Sequence, residues 1–302
     1  MKSQTTAYKF ALIAIFFWST VATAFKISLQ YLSAVQLVLY ASISSFLILF
    51  AIVTYKKQLR NVLNYIKKSY LQIFILALIN PFLYYLVLFK AYELLPAQEA
   101  QAINYTWALM LTYLSVIFLK QKLTINDIVA GIICYFGVLI ISTKGAPFSL
   151  SFSNIDGVLL ALLSTVLWSL YWITNTKTKA DPLISVFANF LFSIPIIFIY
   201  AYFTGELSAI PDIRGIASSF YVGVFEMGIT FLFWLNAMQY AQSTAKIANL
   251  IFLSPFISLI FIYFILGEEI YISTVIGLIT IIAGLIIQQL KTMNTNSDNG
   301  LK

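Results

Sequence analysis

Long apolar stretches separated by short polar connections dominate the pattern of hydrophobic and polar positions along this chain. A helix that crosses the hydrocarbon core of a bilayer needs about 20 predominantly apolar residues. Backbone groups in lipid must be hydrogen-bonded within the segment, and these stretches are too long and continuous for barrel strands. The pattern therefore predicts ten membrane-spanning helices, at Phe10–Leu29, Val35–Tyr55, Tyr70–Phe89, Ala97–Leu119, Ile125–Thr143, Gly157–Asn175, Leu183–Phe203, Ile216–Ala241, Ala245–Leu266 and Tyr271–Leu290.

The composition and the distribution of charge agree with a membrane protein. Hydrophobic residues make up 61% of the 302 positions and charged residues only 10%, too few to cover a water-exposed surface. Fourteen of the 18 lysines and arginines fall on one side of the predicted spans and four on the other. This positive-inside bias predicts a multi-pass protein of the cell inner (plasma) membrane with both termini cytoplasmic. The net charge of +7 is thus a topology signal, and no nucleic-acid partner is expected.

The two halves of the chain repeat one another. The first half contains NPFLYYLVLFKAYELLPAQEAQAINYTWA and the second EMGITFLFWLNAMQYAQSTAKIANLIFLSP, which aligns Asn80 with Glu226. Five spans per half is an odd number, so the second copy must cross the membrane upside down. The charges agree with this inversion, because the basic Lys120-Gln121-Lys122 corresponds to the acidic Glu268-Glu269.

The predicted fold is therefore an all-α polytopic membrane protein with two inverted five-helix repeats around a central cavity. The first repeat is predicted at residues 7–143, a hinge loop at 144–156, the second repeat at 157–290 and a cytoplasmic tail at 291–302. Inverted repeats of this kind are typical of carriers, in which two similar halves exchange conformations around a fixed site.

The closing segments of the halves resemble a known family. They read NYTWALMLTYLSVIFLKQKLTINDIVAGIICYFGVLII and NLIFLSPFISLIFIYFILGEEIYISTVIGLITIIAGLII. With ten spans in two halves, this pattern resembles the drug/metabolite transporter (DMT) superfamily, EamA type, from Phe10 to Leu290. The first copy departs from it, since Ala108 stands where many members have proline and Lys120-Gln121-Lys122 replaces the usual Gly-Glu-Arg-like helix end.

The segment Asn104-Tyr105-Thr106-Trp107 is similar to the branch of the family that exports aromatic amino acids, which typically reads Asn-Tyr-Leu-Trp-Pro. The resemblance implies a transporter in which helices one, three, four, six, eight and nine surround the cavity. Helices five and ten would be set aside as supports, and Gly131, Gly137, Gly277 and Gly284 are read as their close packing.

Glu226 is the candidate with the clearest chemistry, because it lies near the middle of the eighth run. A charged carboxylate at that depth costs about 2.5–3.5 kcal/mol on insertion scales, so it should face a cavity or a partner. It could anchor a substrate ammonium or carry a proton as the coupling ion. The alternative is a neutral glutamate hydrogen-bonded to a neighbouring helix, such as the one that contains Asn80.

Aromatic residues make up 17% of the chain and could form walls that stack a planar ligand or cradle an organic cation. Trp168, Tyr171 and Trp172 share one helix face, and Trp18 occupies the position equivalent to Trp168. Packing between helices and interfacial anchoring are the alternative roles of such residues. The candidate substrate-binding residues are Glu226, Asn80, Trp168, Tyr171, Trp172, Trp18, Tyr84, Tyr85, Tyr105, Trp107, Phe231, Trp234, Asn104 and Asn249.

Two prolines inside predicted spans, Pro81 and Pro255, are candidate helix bends, because proline leaves a carbonyl one turn earlier without its helical donor. Lys26 near the end of the first span is expected to extend its amine to the membrane interface.

The sequence contains no histidine, no nucleotide-binding glycine loop, no metalloprotease motif and no serine nucleophile elbow. We therefore expect no enzyme activity, no catalytic residue, no cofactor and no metal site. The interpretation that follows is a secondary transporter that moves a small organic metabolite, an amino acid or related amine, by alternating access. Its partners would be that substrate, the lipid bilayer and protons, with the oligomeric state open. The alternative is a non-transporting membrane receptor, scaffold or enzyme on the same duplicated fold.

Overall fold

A computed structural model of the chain describes residues 2–149, 152–176, 178, 180–208 and 211–298, with the backbone alone at 245 and 289–298. Helices account for most of this part of the chain, and no strand occurs within it. The helices are α1 Gln4–Leu29, α2 Ala34–Tyr55, α3 Leu59–Leu94, α4 Ala97–Leu119, α5 Ile125–Ser142, α6 Ile155–Asn175, α7 Pro182–Phe203, α8 Ile213–Tyr240, α9 Lys246–Leu266 and α10 Ile272–Asp298.

Within the described residues, nine of these helices, α1 to α9, are long and apolar enough to cross a membrane. The apolar part of α10, Ile272–Gln288, is shorter than the other nine. The all-helical polytopic fold is thus confirmed, while the tenth crossing stays a prediction.

Side-chain caps fix the starts of three helices, and the hydrophobic pattern alone clearly misplaced one of these starts, that of α1. The apolar run predicted a first helix from Phe10, but α1 begins at Gln4 because the Ser3 hydroxyl accepts a hydrogen bond from the Thr6 amide at 3.3 Å. Ser33 and Gln36 form a capping box at the start of α2, and Thr124 and Asp127 form another at α5. Polar caps extend a helix beyond the apolar region on which the prediction relied.

Contacts between helix ends define two faces of the bundle. At the N-terminal face, where α1 begins, the Ser3 amide donates to the Tyr240 carbonyl of α8 at 2.9 Å. At the opposite face, the Gln98 side chain at the start of α4 donates to the Glu269 carbonyl at 2.8 Å. Lys122 follows the other end of α4, so the two matched connections lie at opposite faces, as an inverted repeat requires.

Helices α5 and α10 pack closely against each other beside the bundle. A Cβ atom added to Gly137 would lie 2.7 Å from the Gly277 carbonyl, and one added to Gly284 would lie 2.6 Å from the Cys134 sulfur. Glycine therefore permits the backbone approach here, as the sequence predicted. Gly131 differs, because its face contacts the Tyr113 hydroxyl of α4 rather than α10.

Candidate functional site

Helices α3 and α8 are both irregular at the two positions that the repeat aligns. In α3, Asn80 leaves the helical conformation (φ −143°, ψ 122°) inside a widened turn that spans Leu78–Leu83 and contains Pro81. In α8, the widened turn Val222–Glu226 is followed by Gly228 at φ −115° and ψ −98°. Helices interrupted at corresponding depths in two repeats are the structural pointer to a transporter site, because non-helical backbone in a membrane needs a cavity or protein partners.

Pro255, the other predicted bend, lies near the start of the helical stretch Ser254–Phe261. A 3₁₀ turn, Leu250–Leu253, comes directly before it, so α9 also changes its winding next to the proline.

A cavity of about 510 Å³ lies between these helices and receives residues from both halves of the chain. Its size is that of a small-molecule pocket. Thirteen of the fourteen candidate binding residues line it, namely Glu226, Asn80, Trp168, Tyr171, Trp172, Trp18, Tyr84, Tyr85, Tyr105, Trp107, Phe231, Trp234 and Asn104.

Glu226 carries the only carboxylate among the described lining residues, and these residues include no lysine or arginine. Its Oε1 atom accepts a hydrogen bond from the Tyr85 hydroxyl of α3 at 3.2 Å. The alternative interpretation was a glutamate hydrogen-bonded to the helix that contains Asn80. That helix does supply a partner, which is Tyr85 and not Asn80. The Glu226 side chain remains half-buried and faces the cavity, so it can also meet a ligand.

Side-chain amides contribute to the polar part of the wall, those of Asn80, Gln101, Asn104 and Asn175. The Oδ1 atom of Asn80 is buried and has no hydrogen-bond partner, and the Asn104 side chain donates to the Ser164 hydroxyl of α6 at 2.9 Å.

Aromatic rings form the rest of the wall, centred on Trp168. Its ring centroid lies 4.6 Å from that of Tyr84, 5.7 Å from Tyr171 and 6.2 Å from Phe231. Trp18 lies 5.4 Å from Trp234 and 5.8 Å from Phe231, so Phe231 links the two groups of rings. The symmetry-related Trp18 and Trp168 both line the cavity, where ring faces can stack a planar group or attract a cation.

Asn249 is the one candidate that the structure does not bring to the cavity. Its side chain is exposed, and the lining residues of α9 are Ala248, Ile251 and Phe252. The prediction placed Asn249 by its polarity within an apolar run, but the rotation of α9 directs it away from the cavity.

Helix α7 lines the cavity although the resemblance implied otherwise, and so do Leu49 of α2 and Leu285 of α10. Helix α7 contributes Leu183, Ser185, Val186 and Phe190. Its sequence contains Ser185, Asn189 and Ser193, whose spacing of four residues places them on one helix face. This stripe of buried polar residues was the signal that the sequence prediction missed.

The cavity extends to the N-terminal face, where its mouth is lined by Thr178 and Ala180 of the α6–α7 connection and by Pro182, the first residue of α7. The opposite face is closed by hydrogen bonds. The Lys26 amine of α1 donates to the carbonyls of Tyr92 at 2.7 Å and Leu95 at 2.8 Å, at the end of α3. The Lys26 amine thus binds carbonyls at a helix C-terminus, where a cation is favoured, while its extension to the membrane interface stays a prediction.

Further bonds at this face connect helix starts to carboxylates, and the second of them joins the two halves. The Ala34 amide donates to the Glu93 carboxylate at 2.8 Å, and the Ala97 amide donates to the Glu268 carboxylate at 3.0 Å. Carboxylates from either half thus bind the N-terminal turns of α2 and α4, where the helix dipole favours negative charge.

The family model described as the EamA-like transporter family matches residues 5–143 and again residues 155–288. The chain belongs to this family. It is a multi-pass membrane protein of transporter type, and the double match shows that both halves carry the EamA pattern.

Curated relatives of this EamA-like chain carry transporter names. An "Uncharacterized transporter" of Archaeoglobus fulgidus is 25% identical over 91% of this chain and 95% of its own length. The "Uncharacterized transporter YvbV" of Bacillus subtilis is 26% identical over 72% of this chain and 70% of its own length. A solved crystal structure of a protein has the same fold, with a TM-score of 0.66 over 97% of this chain and 99% of that one, at 18% identity.

Proposed function

We propose that this EamA-like protein is a secondary transporter that moves a small organic amine or amino acid across the cell inner membrane by alternating access. The observation that carries the proposal is the cavity: both halves line it, both contribute an interrupted helix, and its described wall holds one carboxylate. This arrangement is the one that inverted-repeat carriers use for a central site.

The charge of the wall supports a substrate with an ammonium group. Glu226 offers a negative charge, and aromatic faces attract a cation over their rings. A purely anionic substrate would meet no lysine or arginine among the lining residues that the structure describes. A proton is the natural competitor for the same carboxylate, so exchange of substrate against protons at Glu226 would couple the two.

The closed and open faces support alternating access. If the N-terminal face is cytoplasmic, as the positive-inside bias predicts, this conformation opens inward and is closed outward around Lys26. Transport to the other side requires that the bonds of the opposite face break while bonds form around the mouth near Thr178.

Counterflow in liposomes tests the proposal. Purified protein is reconstituted in vesicles loaded with an unlabelled aromatic amine or amino acid, and uptake of the labelled compound is followed. A carrier accumulates label transiently above equilibrium, whereas a receptor, a scaffold or an enzyme on the same fold does not. The absence of counterflow across a panel of amines and amino acids that bind the protein would refute the carrier function.

A further inference from the structure

The first ten residues of α3 form a helix that is separate from the membrane span. The backbone leaves the helical conformation at Ser69 (φ −138°, ψ 24°), which divides the preceding segment, residues 59–68, from the rest. α3 contains 36 residues, which corresponds to about 54 Å of helix at 1.5 Å per residue, against about 30 Å of hydrocarbon. Segment 59–68 therefore lies at the membrane surface at the N-terminal face.

This segment is amphipathic and directs two kinds of group outward. Val62 is buried against the bundle, whereas Leu63 is 59% exposed. Beyond the segment, Tyr55 is 88% exposed and Tyr70 is 65% exposed. Exposed cations surround these apolar groups, at Lys56, Lys57, Arg60, Lys67 and Lys68. Apolar side chains mixed with lysine and arginine on a surface helix are typical of helices that lie in the headgroup region of a bilayer.

No described carboxylate forms an ion pair with these five cations. The described carboxylates at the starts of α5 and α7, on the same face, are Asp127 and Asp181. They accept hydrogen bonds from Thr124 and from the Leu183 amide, respectively. The five cations are therefore available to anionic groups outside the chain.

One hydrogen bond connects this region to the cavity. Gln72, three residues after the break at Ser69, donates from Nε2 to the Thr178 hydroxyl at 2.8 Å. Thr178 lines the mouth of the cavity. A shift of the surface segment would therefore move Gln72 and change its hydrogen bond to Thr178 at the mouth of the cavity.

We propose that residues 56–70 bind the headgroups of anionic membrane lipids, and that this binding positions the mouth of the cavity through the Gln72–Thr178 bond. The headgroup phosphate would contact the five cations, while the acyl chain would cover Leu63 and Tyr70. The lipid site is independent of the transported substrate, and its binding test does not require transport.

Thermal stability of the detergent-purified protein tests lipid binding. Phosphatidylglycerol should raise the unfolding midpoint, whereas phosphatidylcholine and inorganic phosphate should not. The double variant Lys67→Gln/Lys68→Gln should raise the phosphatidylglycerol concentration for half-maximal stabilisation by roughly 10- to 30-fold, the scale expected for two basic residues near an anionic surface.

The matched control, Lys120→Gln/Lys122→Gln, removes two cations from the same face in the α4–α5 connection. It should leave the phosphatidylglycerol dependence unchanged. An equal loss in both double variants, or equal stabilisation by phosphatidylcholine or by inorganic phosphate, would overturn the proposed site.

Cysteine labelling at the mouth tests the coupling. Ala180→Cys in a Cys134→Ala background should react with a soluble maleimide at different rates in vesicles with and without phosphatidylglycerol. Adding Thr178→Val removes the acceptor of the Gln72 bond, so the rates should become equal while lipid stabilisation persists. A labelling rate that still depends on lipid after Thr178→Val would refute the coupling. So would a rate that does not depend on lipid when Thr178 is intact.

Discussion

Replacement of Glu226 by glutamine should weaken binding of a cationic amine while it preserves the local structure. The glutamine carbonyl can still accept the 3.2 Å hydrogen bond from the Tyr85 hydroxyl, so the change removes the negative charge and little else. A hydrogen bond to a charged group contributes about 1.5–3 kcal/mol and a neutral one about 0.5–1.5 kcal/mol, a difference of about 1–2 kcal/mol. At 1.4 kcal/mol per decade, Kd should rise about 5- to 30-fold.

Tryptophan fluorescence provides the assay, because Trp18, Trp168 and Trp172 line the cavity and a ligand there should change their emission. The amine is titrated into purified wild type and Glu226→Gln, and so is a neutral analogue in which a methyl group replaces the ammonium. Only the amine should lose affinity in the variant.

Glu269→Gln serves as the matched control, since this exposed carboxylate lies in the α9–α10 connection, outside the cavity. It should bind the amine as wild type does. If Glu226→Gln binds both ligands unchanged, or if both carboxylate variants lose affinity equally, the carboxylate is not the ammonium partner. Loss of affinity for both the amine and the neutral analogue would indicate damage to the cavity and would equally contradict the assigned role of the carboxylate.

Three further predictions concern the closed face, the packing of the supports and the topology. Lys26→Met removes two hydrogen bonds to α3, so Gln101→Cys in a Cys134→Ala background should be labelled faster from the opposite face. The exposed Arg214→Met at the same face, whose ion pair is with Asp212 at the start of its own helix, should have no such effect. Gly137→Ala places a Cβ 2.7 Å from the Gly277 carbonyl and should lower the free energy of unfolding by about 1–3 kcal/mol. Thermal denaturation in detergent measures this change, and the control variant at an outward-facing position, Ile132→Ala, should be nearly neutral. Reporter fusions after Lys122 and after Glu269 should report opposite sides of the membrane, and a shared side would contradict the inverted repeat.

Polarity and repetition in the sequence were sufficient to locate the cavity. The repeat in the amino-acid sequence alone aligned Asn80 with Glu226, and both residues lie where their helices are interrupted. The aromatic candidates Trp18 and Trp168 were chosen by the same symmetry, and both line the wall. Sequence could place these residues at the cavity because the costs of polar groups and of irregular backbone in lipid act on each residue separately; their binding of substrate stays a prediction.

The sequence by itself determined the membrane class, the positions of the helices, the duplication and the chemical character of the cavity wall. The free-energy cost of placing an apolar, polar or charged residue in the bilayer is a property of that residue and does not depend on the neighbouring helices. The rotation of each helix and the choice of partner were decided only by the tertiary structure. Asn249 turns away from the cavity, α7 lines it, and Lys26 binds carbonyls of α3. A long helix with few polar residues carries only a weak periodic signal for its orientation, so packing against the other helices sets which face meets the cavity.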